Sequence, residues 1–600
     1  MNPYRALIVT VTSLALVSVA TAREPGINVE KAEIGDMLLA PYYTTESGNE
    51  TYLNVVNTTD RFKALKVRFR EARASEDSLD FHVYMSPKDM WTATLTQDAN
   101  GDPVLVTGDE SCTFGRVGDS ADSSGARVQT TYIDQVTDRL SEAGAEYTGP
   151  EPAQRIREGY VEIIEMGTFS EELREEVAAD PVTVSGAEDF VTRAATTDST
   201  ADDWLGYYAK HVDGQPRDCR AFEALNTELD ELDPETIQLA LIEGGTPSFT
   251  FDPPDGEPRE VKTGFGYRTG GLFGSSAIIN VEDATYTPVD LTILNTLDEF
   301  CSTDNMFFSQ SPATGEHLDV YTMDTGLSLN KDTLQYWDLP DLSSHGFSWR
   351  DDGGYSARRA WSVSSALATT TLFNEFFVDP ALGAETDWVV TQPTKRFFVT
   401  GDSVNGDGVA ENTWLDRGPW EQRDIDIDPI FFTRNYDYAE ARSCEPMRIR
   451  SWDREEEEIL FTADPSDGFS PGVPDTPESQ GICYETTVFT FSRSDSDSVT
   501  APSPVLGAQV SLTGIAIGTD APAGWTRMDL TNGTAGDTSA RQRNAYDANT
   551  FGLPVIGFAA WRFYNDGQTS AGSLNQYGGG FRHRLVQPDN IPQGLSLGER

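Results

Sequence analysis

Apolar residues recur at every second position in one short segment after another, and clusters of turn-forming residues separate the segments. Glu50 to Val56, Phe62 to Phe69 and Leu79 to Met85 each carry this alternation. Between them lie Thr44-Thr45-Glu46-Ser47-Gly48-Asn49 and Asn57-Thr58-Thr59-Asp60. Successive side chains of a strand point to opposite faces, so the pattern predicts an antiparallel meander with one face on a core and the other in water. Gly159 to Met166 reads as a further strand of the same set. Residues 23–167 are therefore expected to form an N-terminal β-sandwich.

The pattern changes over residues 168–245, where a helical insertion is expected. Ser185 and Glu188 have capping-box spacing ahead of Phe190 and Val191. Asp218 can cap a helix carrying Phe222 and Leu225. Asp233-Pro234 puts a capping carboxylate before a proline at the first helical position, and Gly244-Gly245 ends that segment. Strand patterns return at Ser275 to Val281 and Tyr286 to Asn295, within a β-rich region expected over 246–410.

A C-terminal β-rich region is expected over 411–600. Across these two regions Leu372 to Val378, Asp387 to Val390 and Arg396 to Thr400 are short apolar segments, the last containing an expected strand, Phe397-Phe398-Val399. Asp424 to Asp428 alternates acids with isoleucines. Asp464 to Gly481 is rich in Pro, Gly, Ser and Asp and reads as a solvated loop. Gly552 to Tyr564 is a late apolar strand, followed by Gly578-Gly579-Gly580 and the short basic patch Arg582-His583-Arg584. No internal repeat stands out. The fold class is mainly β, with antiparallel sandwiches on both sides of the helical insertion. In a chain of 600 residues, 38% hydrophobic content is enough to pack the two or more cores this implies.

The first twenty-two residues predict export. Met1 to Ala22 has one basic residue, Arg5, an apolar run from Ala6 to Ala20 and the small-residue exit Ala20-Thr21-Ala22. That is the arrangement of a secretory signal peptide, and the apolar run is short for a membrane span of about 20 residues. No transmembrane segment is expected after its cleavage. The formal net charge is −53, from 97 acidic against 44 basic residues, of which only eight are Lys. Such a surface suits a salt-adapted protein outside the cell, because at 1 M salt the Debye length falls to about 3 Å and self-repulsion is screened. Nucleic acid is an unfavourable partner, since phosphate contact requires clustered Lys and Arg.

Five cysteines, Cys112, Cys219, Cys301, Cys444 and Cys483, allow two disulfides at most. Cys444–Cys483 and Cys112–Cys219 are the preferred pairs, leaving Cys301, although sequence alone does not fix connectivity. None of the five has zinc-site spacing.

One loop carries metal-ligand chemistry. Asp402, Asn405, Asp407 and Glu411 supply side-chain oxygens around glycines, as a hard cation such as Ca²⁺ requires. The spacing looks like the calcium loops of extracellular repeats, but Ser403 stands where the first acid belongs. The competing reading is a polar turn built from ordinary turn residues. Gly401-Asp402-Ser403 also resembles the nucleophile block of GDS-type esterases. That chemistry needs a histidine base with an orienting acid, and near His583, the one histidine of that region, Gly580 takes the acid's place. The remaining histidines, His82, His211, His317 and His345, form no metal or catalytic motif. Among 97 acids a carboxylate pair is uninformative by itself. Glu455 to Glu458 reads as a charged edge or turn that discourages strand-to-strand association. Trp337, Trp349, Trp361, Trp388, Trp414 and Trp420 concentrate in one stretch, where core packing is the plain reading and a sugar-stacking surface the sharper one.

Three strings, Leu39-Ala-Pro-Tyr-Tyr, Arg157-Glu-Gly-Tyr-Val-Glu-Ile-Ile-Glu-Met-Gly and Asp387-Trp-Val-Val-Thr-Gln-Pro-Thr-Lys, resemble those of a group of secreted, functionally undefined bacterial cell-surface proteins. The resemblance implies export and transfers no catalytic residue. The expected function is that of a non-catalytic cell-surface or extracellular-matrix protein. Its expected partner is a cell-surface component, a glycan or a further copy of itself. The alternative is a secreted hydrolase that acts on polysaccharide with paired carboxylates.

Overall fold

A computed structural model describes residues 27–29, 33–115, 126–128, 146–170, 201–231, 248–253, 256–264, 269–296, 363–399, 439–459, 481–493, 500–530, 552–564 and 576–587, with a few positions between them. The chain is mainly β, and four large sheets pair into two sandwiches. Sheet I runs, in spatial order, Ile27–Val29, Thr292–Thr296, Met37–Thr44, Glu158–Phe169, Phe62–Glu71, Asp77–Met85 and Cys112–Gly115. Sheet II runs Thr285–Val289, Leu272–Asn280, Asn49–Asn57, Met90–Gln97, Pro103–Val106 and Ala126–Arg127. Leu65, Val67, Phe69, Phe81, Val83, Val161 and Ile163 of sheet I meet Leu53, Val55, Trp91, Leu95 and Leu105 of sheet II in one buried core. The period-two residues of the sequence are the ones that face it.

The C-terminal half repeats the construction. Sheet III runs Glu458–Ile459, Arg448–Asp453, Ala523–Asp529, Thr371–Phe377 and Arg584–Val586. Sheet IV runs Leu512–Ala516, Thr486–Ser492, Ala384–Thr391, Ile556–Tyr564 and Gln576–Arg582. Leu372, Phe376 and Met528 pack against Trp388, Val390, Phe489, Phe491 and Ala559 between them. Every pairing within these four sheets is antiparallel except Thr486–Ser492 with Leu512–Ala516.

Sheet membership does not follow the segment boundaries expected at 167 and 245. Leu272–Asn280 pairs with Asn49–Asn57, and Thr292–Thr296 with Met37–Thr44. Strands beyond the helical stretch thus complete the first sandwich. Of the expected insertion, the described residues hold two short helices, Leu205–Ala209 and Arg220–Glu231, and a small hairpin. The Asp218 carboxylate accepts from the Arg220 backbone N–H at 3.1 Å, and Phe222 and Leu225 are buried, as the capping pattern requires. Ser185, Glu188, Asp233 and Pro234 lie outside the described residues, as do Asp424 to Asp428.

Two expectations are corrected. Lys395–Val399 is a short helix rather than part of a strand. Lys395 at its start donates to the carbonyls of Ile482 and Cys483 at 3.2 Å, and Arg396 pairs with Glu76 at 2.8 Å. Those tertiary bonds hold the segment in a turn that its apolar run does not signal. Sheet I is also not half-solvated. Phe62, Ala64, Met166 and Phe169 are covered by Leu205, Phe222, Leu225, Phe249 and Phe251. Met37, Leu39 and Ile164 are covered by Val363, Leu367 and Ile556. Between these two apolar lids the polar face carries Lys66, Arg68 and Arg70 on one strand, Asp77, Asp80 and His82 on the next, and Glu162 on the third, all buried. Register sets Glu162, Arg68 and Asp80 directly across from one another. Lys66 meets Asp80 at 3.0 Å and Arg68 meets Asp77 at 2.8 Å. A face that reads as water-facing from alternation is buried because its charges are matched strand to strand, the condition under which buried ions are tolerated.

Cys112 is bonded to Cys219 and Cys444 to Cys483, the two preferred pairs. Cys301 lies outside the described residues. The first bridge ties the edge of sheet I to the start of the Arg220–Glu231 helix.

The two sandwiches share buried surface. Val389, Val488, Phe558 and Ala560 on the outer face of sheet IV pack on Tyr42, Ile278 and Val289 of the first sandwich. Around this apolar contact lies a set of buried polar clamps. Glu158 accepts from the backbone N–H groups of Gln509, Val510 and Ser511 at 3.1, 2.5 and 3.2 Å, and from the hydroxyls of Tyr42 and Ser511 at 2.7 and 3.0 Å. Arg73 donates to the Val510 and Glu440 carbonyls and lies 4.2 Å over the Tyr484 ring. Thr391 donates to the Pro41 carbonyl at 2.5 Å. Residues far apart in the chain, Tyr42, Glu158 and Thr391, therefore meet at this junction.

Candidate functional site: the open face of the C-terminal sandwich

The sites expected from sequence fare unequally. Asp402, Asn405 and Asp407 lie outside the described residues. Ser403–Val404 pairs with Ala410–Glu411 as a small hairpin, which brings the two ends of the expected calcium loop together in the backbone. Trp388 is fully buried in the second core, in line with packing. Trp337, Trp349, Trp361, Trp414 and Trp420 lie outside the described residues. His82 is an ordinary buried sheet residue. His583 is enclosed between sheets III and IV, with Nε2 at 2.9 Å from the Val389 carbonyl oxygen and Nδ1 at 3.1 Å from Asn374 Nδ2. Burial holds its pKa down at about 4, so it is a neutral packing group with both nitrogens engaged. Glu455, Glu456 and Glu457 form an exposed turn beside the edge strand Glu458–Ile459, as a charged edge requires. Among the described residues, no three His, Cys, Asp or Glu side chains group as a metal site, and no helix is long and apolar enough to cross a membrane.

The feature that stands out was not singled out in the sequence. Sheet III buries one face on the core, through Leu372, Phe376 and Met528, and turns the other outward. Register aligns the outward residues in rows across the strands. One row is Glu458, Trp452, Trp525 and Glu375. The next is Arg450, Arg527, Phe373 and Arg584. Trp452 and Trp525 stack with centroids 4.2 Å apart and planes 16° apart, and Phe373 lies 6.2 Å beyond Trp525. Trp525 is 39% exposed.

Three arginines in one row would repel, since like charges directly opposite on neighbouring strands destabilise a sheet. Each is balanced by an acid. Arg527 meets Asp529 at 3.3 Å, Arg584 meets Glu375 at 3.2 Å and Arg450 meets Glu458 at 3.8 Å. The Arg450 and Arg584 pairs are partly open to water, where such ion pairs are worth about 0–1 kcal/mol and their hydrogen-bonding groups are readily shared with a ligand. The face thus combines exposed π-surface with closely spaced donors and acceptors and little net charge.

No protein-family model, no curated protein and no solved structure matches the chain. The class of the protein is therefore the one its architecture defines: two antiparallel β-sandwiches joined through a buried, clamped junction, with one sheet face left open to solvent.

Proposed function

We propose that the chain is an exported, non-catalytic binding protein of the extracellular surface, and that it takes a neutral polysaccharide on the open face of sheet III. The observation that carries this reading is the stacked Trp452–Trp525 pair with Trp525 exposed, set among paired Arg and carboxylate groups. Aromatic rings offer apolar area to the C–H faces of a pyranose, and Arg, Asp and Glu supply directional bonds to its hydroxyls. A protein partner suits the face less well, because charges are depleted from the cores of protein interfaces and here they alternate with the rings. Self-assembly is opposed by a net charge of −53, which holds copies apart unless salt screens it. An anionic polymer meets the same long-range repulsion. Export is supported by the pattern of residues 1–22 and by two disulfides, a bond type that persists in oxidising compartments.

Affinity electrophoresis of the mature protein through gels containing neutral polysaccharides tests the proposal. Retardation by at least one polymer is expected, and Trp525→Ala should abolish most of it while leaving the melting temperature within a few degrees. Unchanged retardation in Trp525→Ala would overturn the assignment to this face. Reducing sugar released on incubation would overturn the non-catalytic reading.

A further inference from the structure

A second feature lies away from the open sheet face, at the seam between the sandwiches. A cavity of about 300 Å³ is walled on one side by Ser47, Asn49, Asn280, Asp283 and Thr285 of the first sandwich. The other wall is the 502–507 loop and Arg562 of the second. At about 30 Å³ per water it has room for roughly ten water molecules, at the small end of ligand pockets. Most of its lining is hydroxyl, amide or charged, so an apolar guest would leave polar groups unpaired.

Its walls are held firmly. Asn280 donates to the Ser47 carbonyl at 3.0 Å and to Asn49 Oδ1 at 3.2 Å, and Asn49 donates to the Leu506 carbonyl at 2.9 Å. The loop on the far wall is pinned by two buried carboxylates. Asp387 accepts from the Val505 and Leu506 backbone N–H groups at 3.0 and 2.9 Å, and Glu158 holds residues 509–511. Gly507, at φ +73°, sits where a Cβ would fall 2.8 Å from the Ser47 side chain, so the two sandwiches close on each other at the cavity floor.

The chemistry converges on Asp283 and Arg562. Arg562 gives Nε and Nη2 to Glu385 Oε2 at 3.0 and 2.7 Å, which leaves Nη1 toward the cavity. Asp283 Oδ1 accepts from Gln576 at 3.3 Å, while Oδ2 stands 3.7 Å from Arg562 Nη1, too far for a hydrogen bond. The two groups form a loose, partly exposed ion pair with no direct hydrogen bond between Nη1 and Oδ2. A hydroxyl group set beside the pair can accept from Nη1 and donate to Oδ2 at once. A carboxylate or phosphate would be repelled, because Asp283 and Glu385 outnumber Arg562. Tyr286 and Tyr577, both more than half exposed, project from the neighbouring strands Thr285–Val289 and Gln576–Arg582.

We infer that this cavity is a binding site for one neutral, polyhydroxylated unit, a sugar residue or a small polyol, whose hydroxyl bridges Asp283 Oδ2 and Arg562 Nη1. The site is independent of the open sheet face, and because both sandwiches line it, an occupant stiffens the junction. Saturation-transfer NMR on the mature protein tests this with D-glucose, D-galactose, D-mannose and glycerol, and with D-glucuronate as the anionic comparator. At least one neutral probe should give a saturable signal, and D-glucuronate at least tenfold weaker affinity. Arg562→Lys keeps a cation near Glu385 but withdraws Nη1, and Asp283→Ala removes the acceptor; each should weaken binding about tenfold. Should either variant fold poorly, Thr285→Val at the partly exposed rim reads the same site. A neutral-probe signal lost in Trp525→Ala but kept in Arg562→Lys and Asp283→Ala belongs to the sheet face and overturns the inference. Absence of saturable binding for every probe overturns it as well.

Discussion

Glu485 makes the architecture testable through pH. Its carboxyl is fully buried where the Ala72–Glu76 turn of the first sandwich meets the second. Oε2 accepts from the Arg396 backbone N–H at 3.2 Å, and Thr486 beside it donates to the Ala72 carbonyl at 2.8 Å. Burial raises its pKa from the usual 4.5 to about 8, with Lys395 and Arg396 pulling the other way. The folded protein therefore keeps a proton that the unfolded chain has already released. The associated stabilisation is complete below about pH 4.5, is lost progressively as pH rises, and is exhausted beyond about pH 8. Each tenfold difference in proton affinity corresponds to ~1.4 kcal/mol. Between 4.5 and about 8 the total is roughly 5 kcal/mol, of which about 3 kcal/mol is already lost at pH 7. Glu485→Gln has nearly the same shape and cannot ionise. Urea unfolding followed by tryptophan fluorescence should find the variant close to wild type near pH 4.5 and more stable by about 3 kcal/mol near pH 7. A difference that stays constant across that range would refute the reasoning, as would a variant less stable than wild type at pH 8.

Glu158→Ala should lower stability by about 3–5 kcal/mol in the same assay, because three backbone N–H groups of residues 509–511 lose their buried acceptor. Gly580→Ala should cost about 1–3 kcal/mol by crowding, since a Cβ there would stand 2.7 Å from the Pro288 carbonyl oxygen where the Gln576–Arg582 strand crosses the first sandwich. Gly579→Ala, whose Cβ would meet nothing within 4 Å, is the matched control and should be near neutral.

Much of the strand layout was legible because alternation is a local property. Phe62 to Phe69, Leu79 to Met85 and Gly159 to Met166 all lie within the strands that the period-two pattern marks, with their alternate residues on the first core. What alternation could not say is what covers the other face. Lys66, Arg68 and Arg70 read as solvent-facing, and they are buried because Asp77, Asp80 and Glu162 arrive beside them from other strands. The open face of sheet III was missed for a similar reason. The density of Trp is highest between 337 and 420, whereas Trp452 and Trp525 are distant in sequence and adjacent only through register. A local clue was present, since Arg448-Ile-Arg-Ser-Trp-Asp alternates Arg and Trp on one side with Ile and Ser on the other.

By itself, then, the sequence determined the mainly β class, the positions of most strands, the capping of the Arg220–Glu231 helix by Asp218, and an acidic surface hostile to polyanions. Periodicity, capping and charge act within a few residues of chain or add up regardless of position. Only the tertiary structure decided that residues 272–296 complete the first sandwich, that Lys395–Val399 coils as a helix, and that Asp283 and Arg562 face each other across the seam. Each of these depends on hydrogen bonds and packing between segments far apart in the chain, such as Lys395 with the 482–483 carbonyls and Glu158 with residues 509–511. Local propensity carries no information about such partners, because their contribution to the free energy exists only once the whole fold has brought them together.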